Sequence, residues 1–145
     1  MILISHRGNI DGKDTLKENT VEYIQSAIDL GFDVEVDVWN IDGHLLLGHD
    51  GPVKEQEVSI DFLQKKEIWC HAKNIDALYE LVLNGVHCFF HDSDEVVLTS
   101  KQILWTFPGN ALTCKSVCVL PESQKDNPGI DNCYGICSDF IDRYK

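Results

Sequence analysis

The sequence predicts an α/β fold, a reduced (β/α)8 TIM-like barrel with several outer helices missing. Three observations carry that expectation. The first half alternates strand-like and helix-like segments, and strand–helix–strand units with long crossovers imply parallel pairing. The whole chain offers seven or eight strand-like segments but only two convincing helices. Its 145 residues fall short of the about 250 of a full barrel, so the deficit is expected in the outer layer. One domain spanning residues 1–145 is long enough to bury a core.

The elements follow in order. Ile2 to His6 (ILISH) reads as a first strand that ends in His6-Arg7-Gly8, and Asn9 to Lys17 is a polar loop. Asn19 or Thr20 can cap a helix in which Val21, Ile24, Ala27 and Ile28 share a face until Gly31 stops it. Val34-Glu35-Val36-Asp37-Val38 then alternates apolar and acidic residues with the period of a strand. Asp42-Gly43 offers a two-residue turn, and the returning segment ends in Gly48-His49-Asp50.

Beyond the break at Asp50-Gly51-Pro52, Ser59 can cap one short helical turn. Ile68 to Lys73 (IWCHAK) is the next strand, and Asn74 caps an amphipathic helix with Ile75, Leu78, Leu81 and Val82 on one face. Val86 to Asp92 repeats the unit. Val96-Val97-Leu98, Ile103 to Phe107, Val117 to Leu120 and Tyr134 to Ile141 are strand-like, with gaps too short for full helices. Barrel surface left uncovered in this way predicts self-association as a homo-oligomer.

Composition narrows the function. A content of 43% hydrophobic and 25% charged residues is that of an ordinary globular protein, and no run reaches the length of a membrane span. The N-terminal stretch lacks the basic and long apolar regions of a signal peptide, so a cytoplasmic location is expected. The net charge of −12 argues against nucleic acid as a partner. It leaves room for a small anionic substrate where a metal and a few cations reverse the local field. The six cysteines are expected to be reduced, small buried hydrophobes, since no export signal is seen and Cys70, Cys88, Cys118 and Cys137 lie in apolar, strand-like runs; the C-x₃-C spacing of Cys114/Cys118 and Cys133/Cys137 is not a usual zinc spacing.

Parity along the strands gathers the chemistry. Ile4/His6, Glu35/Asp37, Leu47/His49 and His71/Lys73 are each two residues apart, so each pair should share a face, with the polar member towards the C-terminal end. That is the end at which barrel enzymes place their chemistry. Glu35 and Asp37 are hard oxygen ligands suited to Mg²⁺ or Ca²⁺. Arg7 and Lys73 can hold phosphate oxygens, and His6 and His49 can move protons near neutral pH. His44, His87 and His91 read as structural.

His6-Arg7-Gly8, Glu18-Asn19-Thr20, Glu35-Val36-Asp37-Val38 and Asp42-Gly43…Gly48-His49-Asp50 together resemble the glycerophosphodiester phosphodiesterase family, in order and spacing, over roughly the first 50 residues. Tyr134 to Arg143 is weakly similar to that family's closing strand. The resemblance implies a phosphatidylinositol-phosphodiesterase-like barrel and metal-dependent cleavage of a small glycerophosphodiester-like or lipid-derived phosphodiester. It makes His6 and His49 the acid/base pair, Glu35 and Asp37 metal ligands, with Glu18 near the metal and Arg7 on phosphate. The family carries E-x-K on its third strand where this chain has His71-Ala72-Lys73, so His71 becomes the candidate third ligand and shifts preference towards Mn²⁺ or Zn²⁺. Two alternatives stand beside hydrolysis: a phospholipase-type transphosphatidylase releasing a cyclic phosphate, and a catalytically silent module that binds a phosphorylated ligand.

Overall fold

A computed structural model describes residues 1–145. It has a mixed α/β architecture in which eight strands form a nearly closed, barrel-like sheet served by few helices. The strands are β1 (Ile2–His6), β2 (Asp33–Ile41), β3 (His44–Leu47), β4 (Ile68–Ala72), β5 (Cys88–Phe90), β6 (Val96–Leu98), β7 (Leu104–Thr106), β8 (Ser116–Val119) and β9 (Gly135–Ser138). The helices are α1 (Val21–Asp29), α2 (Ile60–Leu63) and α3 (Ile75–Leu83). Neighbours around the sheet run β5-β4-β2-β1-β9-β8-β7-β6, with β3 paired to β2 outside that path.

All pairings around the path are parallel except β6 with β7, and β3 folds back on β2 as an antiparallel hairpin. The remaining gap, between β5 and β6, is bridged by the three residues Thr99 to Lys101 rather than by a ladder, chiefly through Ser100. Ser100 donates its N–H to the Cys88 carbonyl at 2.8 Å, and its Oγ accepts from the Cys88 N–H at 2.9 Å.

The period of two divides the strands cleanly between two apolar layers. Inside the barrel, Ile4, Trp69, Phe89, Trp105, Val117, Val119 and Cys137 form one cluster. Outside, the fully buried Val34, Val36 and Val38 of β2 pack with Ile24 and Ala27 of α1 and Ala77 and Leu81 of α3. Each buried Val, Ile or Leu among them contributes about 1.5–3 kcal/mol by leaving water. Thr20 caps α1 and Asn74 caps α3 through side-chain oxygens, which satisfies first-turn N–H groups.

No α-helix covers β7 to β9. There the outer face is sealed by short 3₁₀ turns at Pro121–Ser123, Ile130–Asn132 and Ile141–Tyr144, over a small cluster of Phe32, Cys118, Cys133, Ile136 and Ile141. All six cysteines are free thiols and five are buried. On α3, Ile75, Tyr79, Val82 and Leu83 remain exposed, as do Phe90 and Leu98. No helix is long and apolar enough to cross a membrane.

The returning hairpin strand differs from the expected pattern. Strand β3 ends at Leu47, and Leu47 is buried in the outer layer rather than facing the barrel interior. His49 therefore does not reach the rim by strand parity. A turn at Gly48 carries it there, with Gly48 at φ +148° and its N–H donated to the Asp37 carbonyl at 3.2 Å.

Candidate functional site

The charged interior is confined to one end of four successive strands, β9-β1-β2-β4. The registers explain why. His6 lies beside Glu35, and Asp37 beside His71, so their inward-facing side chains converge where the strands end. Asp139, one residue past β9, joins them from the other side.

At the centre are Glu35, Asp37 and His71, each with one ligand atom within 4.8 Å of the others. The two carboxylates are almost wholly buried, Glu35 at 3% and Asp37 at 0% exposure. Glu35 Oε2 and Asp37 Oδ1 have no hydrogen-bond partner. Burial at that depth is costly; Asp37 Oδ1 is faced by the Lys73 ammonium at 3.4 Å and His71 Nδ1 at 3.1 Å, whereas Glu35 Oε2 has no such neighbour closer than His6 Nε2 at 3.8 Å, so a bound cation would relieve it. His71 Nδ1 lies 3.1 Å from Asp37 Oδ1 and 3.9 Å from Glu35 Oε1, while its Nε2 is 3.4 Å from the His91 carbonyl. In the metal-free chain a proton on Nδ1 faces Asp37 Oδ1, whereas a bound metal ion would take the Nδ1 lone pair, with the ring proton then on Nε2. The donor set of two carboxylates and one imidazole fits a divalent cation, with the imidazole favouring Mn²⁺ or Zn²⁺ over Ca²⁺.

Charge around the centre is dense and unbalanced. Two permanent cations, Arg7 and Lys73, stand among four carboxylates, those of Glu18, Glu35, Asp37 and Asp139. Arg7 Nε is 3.0 Å and Lys73 Nζ 3.4 Å from opposite oxygens of Asp37. Burial opposes ionisation of Asp37, but contact with His71 and the charges of Arg7 and Lys73 outweigh it and hold the carboxyl well below the usual range. Glu35 goes the other way. Burial and then the neighbouring charge of Asp37 push its carboxyl up, against the pull of His6, Arg7 and His71.

His6 is gripped from one side. Its Nδ1 is 2.7 Å from Asp139 Oδ1, and its Nε2 is 3.8 Å from Glu35 Oε2. Burial would lower its pKa, yet the hydrogen bond to Asp139 and the charge of Glu35 raise it above the ordinary imidazole value. Asn9 ties the arrangement together, donating from Nδ2 to both Asp139 Oδ1 and Glu18 Oε1 at 2.8 Å. The backbone of Asp139 is itself fixed by Glu122, whose Oε1 accepts the Asp139 N–H at 2.9 Å.

The expected residues thus fall into two sets. His6, Arg7, Glu35, Asp37, His71 and Lys73 form one contiguous cluster. Glu18 lies outside the three-residue ligand group, held by Asn9 and 3.6 Å from Arg7. His49 is half-exposed, with Nδ1 2.7 Å from Asp50 Oδ1. It shares a cleft of about 380 Å³ with Arg7, Glu18, Lys13 and Thr15, and only Val53 of the lining is hydrophobic. Across the site the wall is aromatic instead, His71 stacking on Phe89 and His91 on Phe107.

Asp139, Asn9 and Asn19 were not singled out as site residues by sequence. Extending the period of two from Cys137, which faces inward, would have found Asp139. Asn9 and Asn19 sit in irregular backbone, where no periodicity applies. Comparison with protein-family models, with curated proteins and with solved structures finds no match for this chain.

Proposed function

We propose that this chain is a metal-dependent phosphodiester hydrolase on a reduced (β/α)8 barrel, acting on a small phosphodiester. The observation that carries the reading is the meeting of Glu35, Asp37 and His71 with Arg7, Lys73 and His6 at the C-terminal ends of parallel strands. Glu35, Asp37 and His71 would hold the divalent cation, which when bound neutralises phosphoryl oxygen charge. Arg7 and Lys73 orient the anion beside it. His6, backed by Asp139, and His49, on the far side of the polar cleft, carry the protons, one as base and one as acid. The resemblance of the His6-Arg7-Gly8 and Glu35-to-Asp50 segments to glycerophosphodiester phosphodiesterases supports the same chemistry.

One observation favours a second reading, a binding module without turnover. Arg7 and Lys73 both contact Asp37, and His49 is paired to an exposed Asp50, so the groups that would serve substrate are already engaged within the protein. Phosphorus NMR of glycerophosphodiesters and model bis-esters incubated with the protein and Mg²⁺, Ca²⁺ or Mn²⁺ separates the readings. A monoester supports hydrolysis, and an accumulating cyclic ester indicates transphosphatidylation. Saturable ligand binding with no product under any metal would replace the enzyme reading with the binding one. His6→Ala and His49→Ala should each abolish release of the alcohol.

A further inference from the structure

We infer that Asn19 is a positioning residue for Asp37, completing the sheet at the point where β1 stops and turning one oxygen of Asp37 towards Glu35 and His71. This assignment rests on the metal-binding part of the proposed function.

The argument begins with the ladder. β1 pairs with β2 only as far as His6 beside Glu35, and the last backbone bond runs from the Arg7 N–H to the Glu35 carbonyl at 2.9 Å. The chain then turns away, with Arg7 itself at φ +57°. The next inward residue on β2, Asp37, would be left with an unpaired buried N–H, which structures rarely tolerate. Asn19 supplies the missing partner. Its Oδ1 accepts the Asp37 N–H at 2.9 Å, and its Nδ2 donates to Asp37 Oδ2 at 3.0 Å.

A carboxamide carries the same donor and acceptor as a peptide group, so one side chain stands in for a residue of β1 and fixes the carboxylate as well. Oδ2 is held by Asn19 together with Arg7 Nε at 3.0 Å, and Asn19 alone ties that oxygen to the Asp37 backbone, which sets the rotation of the carboxylate about its last bond. Oδ1 is then the oxygen presented to His71 Nδ1, and it is the oxygen with no hydrogen bond of its own. Aspartate at position 19 would set a second carboxylate against Oδ2, and a hydroxyl is too short to make both contacts.

The backbone shows what holds Asn19 there. Asn19 is 3% exposed and sits at φ +56°, a left-handed conformation that asparagine and glycine adopt more readily than other residues. Its own N–H is donated to the Arg7 carbonyl at 3.1 Å, so the two left-handed residues brace each other on either side of the loop. The neighbouring Thr20 does the capping of α1. The amide of Asn19 is thereby free for Asp37.

The test is Mn²⁺ affinity, read from the free-ion signal by electron paramagnetic resonance. Asn19→Gly keeps the left-handed backbone and removes the clip, and should weaken Mn²⁺ binding about 10- to 100-fold. Thr20→Ala, which lowers stability through the helix cap without touching Asp37, should leave the affinity within about twofold of the parent. If Asn19→Gly does not fold, Asn19→Ser makes the same comparison. Parent-like affinity in a folded Asn19 variant overturns the role of Asn19 alone. Equal losses in Asn19→Gly and Thr20→Ala also overturn it, since general loosening would then suffice. No Mn²⁺ binding by the parent protein overturns the cation site itself and this role with it.

Discussion

His6 Nδ1 and Asp139 Oδ1 lie 2.7 Å apart although 133 residues separate them in the chain. The pair closes the site between the first strand and the last, and it settles which ring nitrogen is occupied: Nδ1 faces Asp139 and Nε2 faces Glu35. This is the arrangement by which a carboxylate orients a working imidazole.

A pH dependence follows in the metal-free protein. His6 has its pKa raised above 6.5, so the stability it gains is complete below pH 6.5 and is lost as pH rises through the raised value. Asp139 has its pKa lowered from 3.8, chiefly by His6 acting against burial, so its contribution is present above that value and is lost as pH falls through the lowered one. Asp139→Asn should lower the His6 pKa and cost about 1–3 kcal/mol near pH 6. Imidazole NMR titration and urea unfolding measure the two effects. A His6 titration unmoved by the substitution would refute the coupling.

Glu35 sits where function and stability pull apart. Its raised pKa means that the ionised carboxylate is disfavoured in the folded, metal-free chain. Glu35→Gln should therefore raise metal-free stability by about 1 kcal/mol at neutral pH while abolishing the stabilisation gained on adding Mn²⁺. Thermal unfolding with and without Mn²⁺ reads both halves. Retained Mn²⁺ stabilisation would remove Glu35 from the ligand set.

Gly48 is required by its surroundings. A Cβ at this position would lie 2.1 Å from the Gly51 carbonyl oxygen, and the carbonyl of Gly48 accepts from Trp39 Nε1 at 2.7 Å. Gly48→Ala must move the turn, at a cost of about 1–3 kcal/mol in chemical denaturation. It should also displace His49 and so lower turnover more than it lowers Mn²⁺ affinity.

His87 behaves oppositely to His6. Burial, and then the charge of Lys101, lower its pKa to about 4, and its Nε2 is 2.9 Å from Thr99 Oγ1 at the other end of the barrel. A histidine kept neutral in the fold opposes acidification, so stability should fall as pH drops from 6.5 towards 4. His87→Gln should flatten that slope in denaturation curves collected across the interval.

Periodicity made much of this fold readable. The inward set on β1, β2 and β4 followed from residues two apart, and α1 and α3 from apolar spacing and their caps, although α3 buries Ala77 and Leu81 and leaves Ile75 and Val82 of the expected face exposed. The hairpin strand His44–Leu47 was read only as a returning segment, because its partner β2 continues beyond the barrel wall to Ile41. His49 was assigned by parity, whereas a glycine turn places it, and turns obey local sterics rather than a repeat. Asn19 read as a possible cap because its sequence position suits one. Only the early end of β1 shows why its amide turns to Asp37 instead. The closing strands were legible, but not the 3₁₀ turns that seal them, since turns of three or four residues carry no pattern long enough to detect.

The short bridge around Ser100 has a mechanical consequence. Parallel ladders join β9, β1, β2 and β4, the strands that carry the charged cluster, whereas the wall between β5 and β6 is held by the bonds of Ser100 to Cys88 and Val86 and by side-chain bonds from Thr99 to His87 and from Lys101 to Gly85. Thermal motion concentrates where the fewest bonds must break. Opening the cylinder at that seam breaks fewer backbone bonds than parting the parallel ladders on the opposite side.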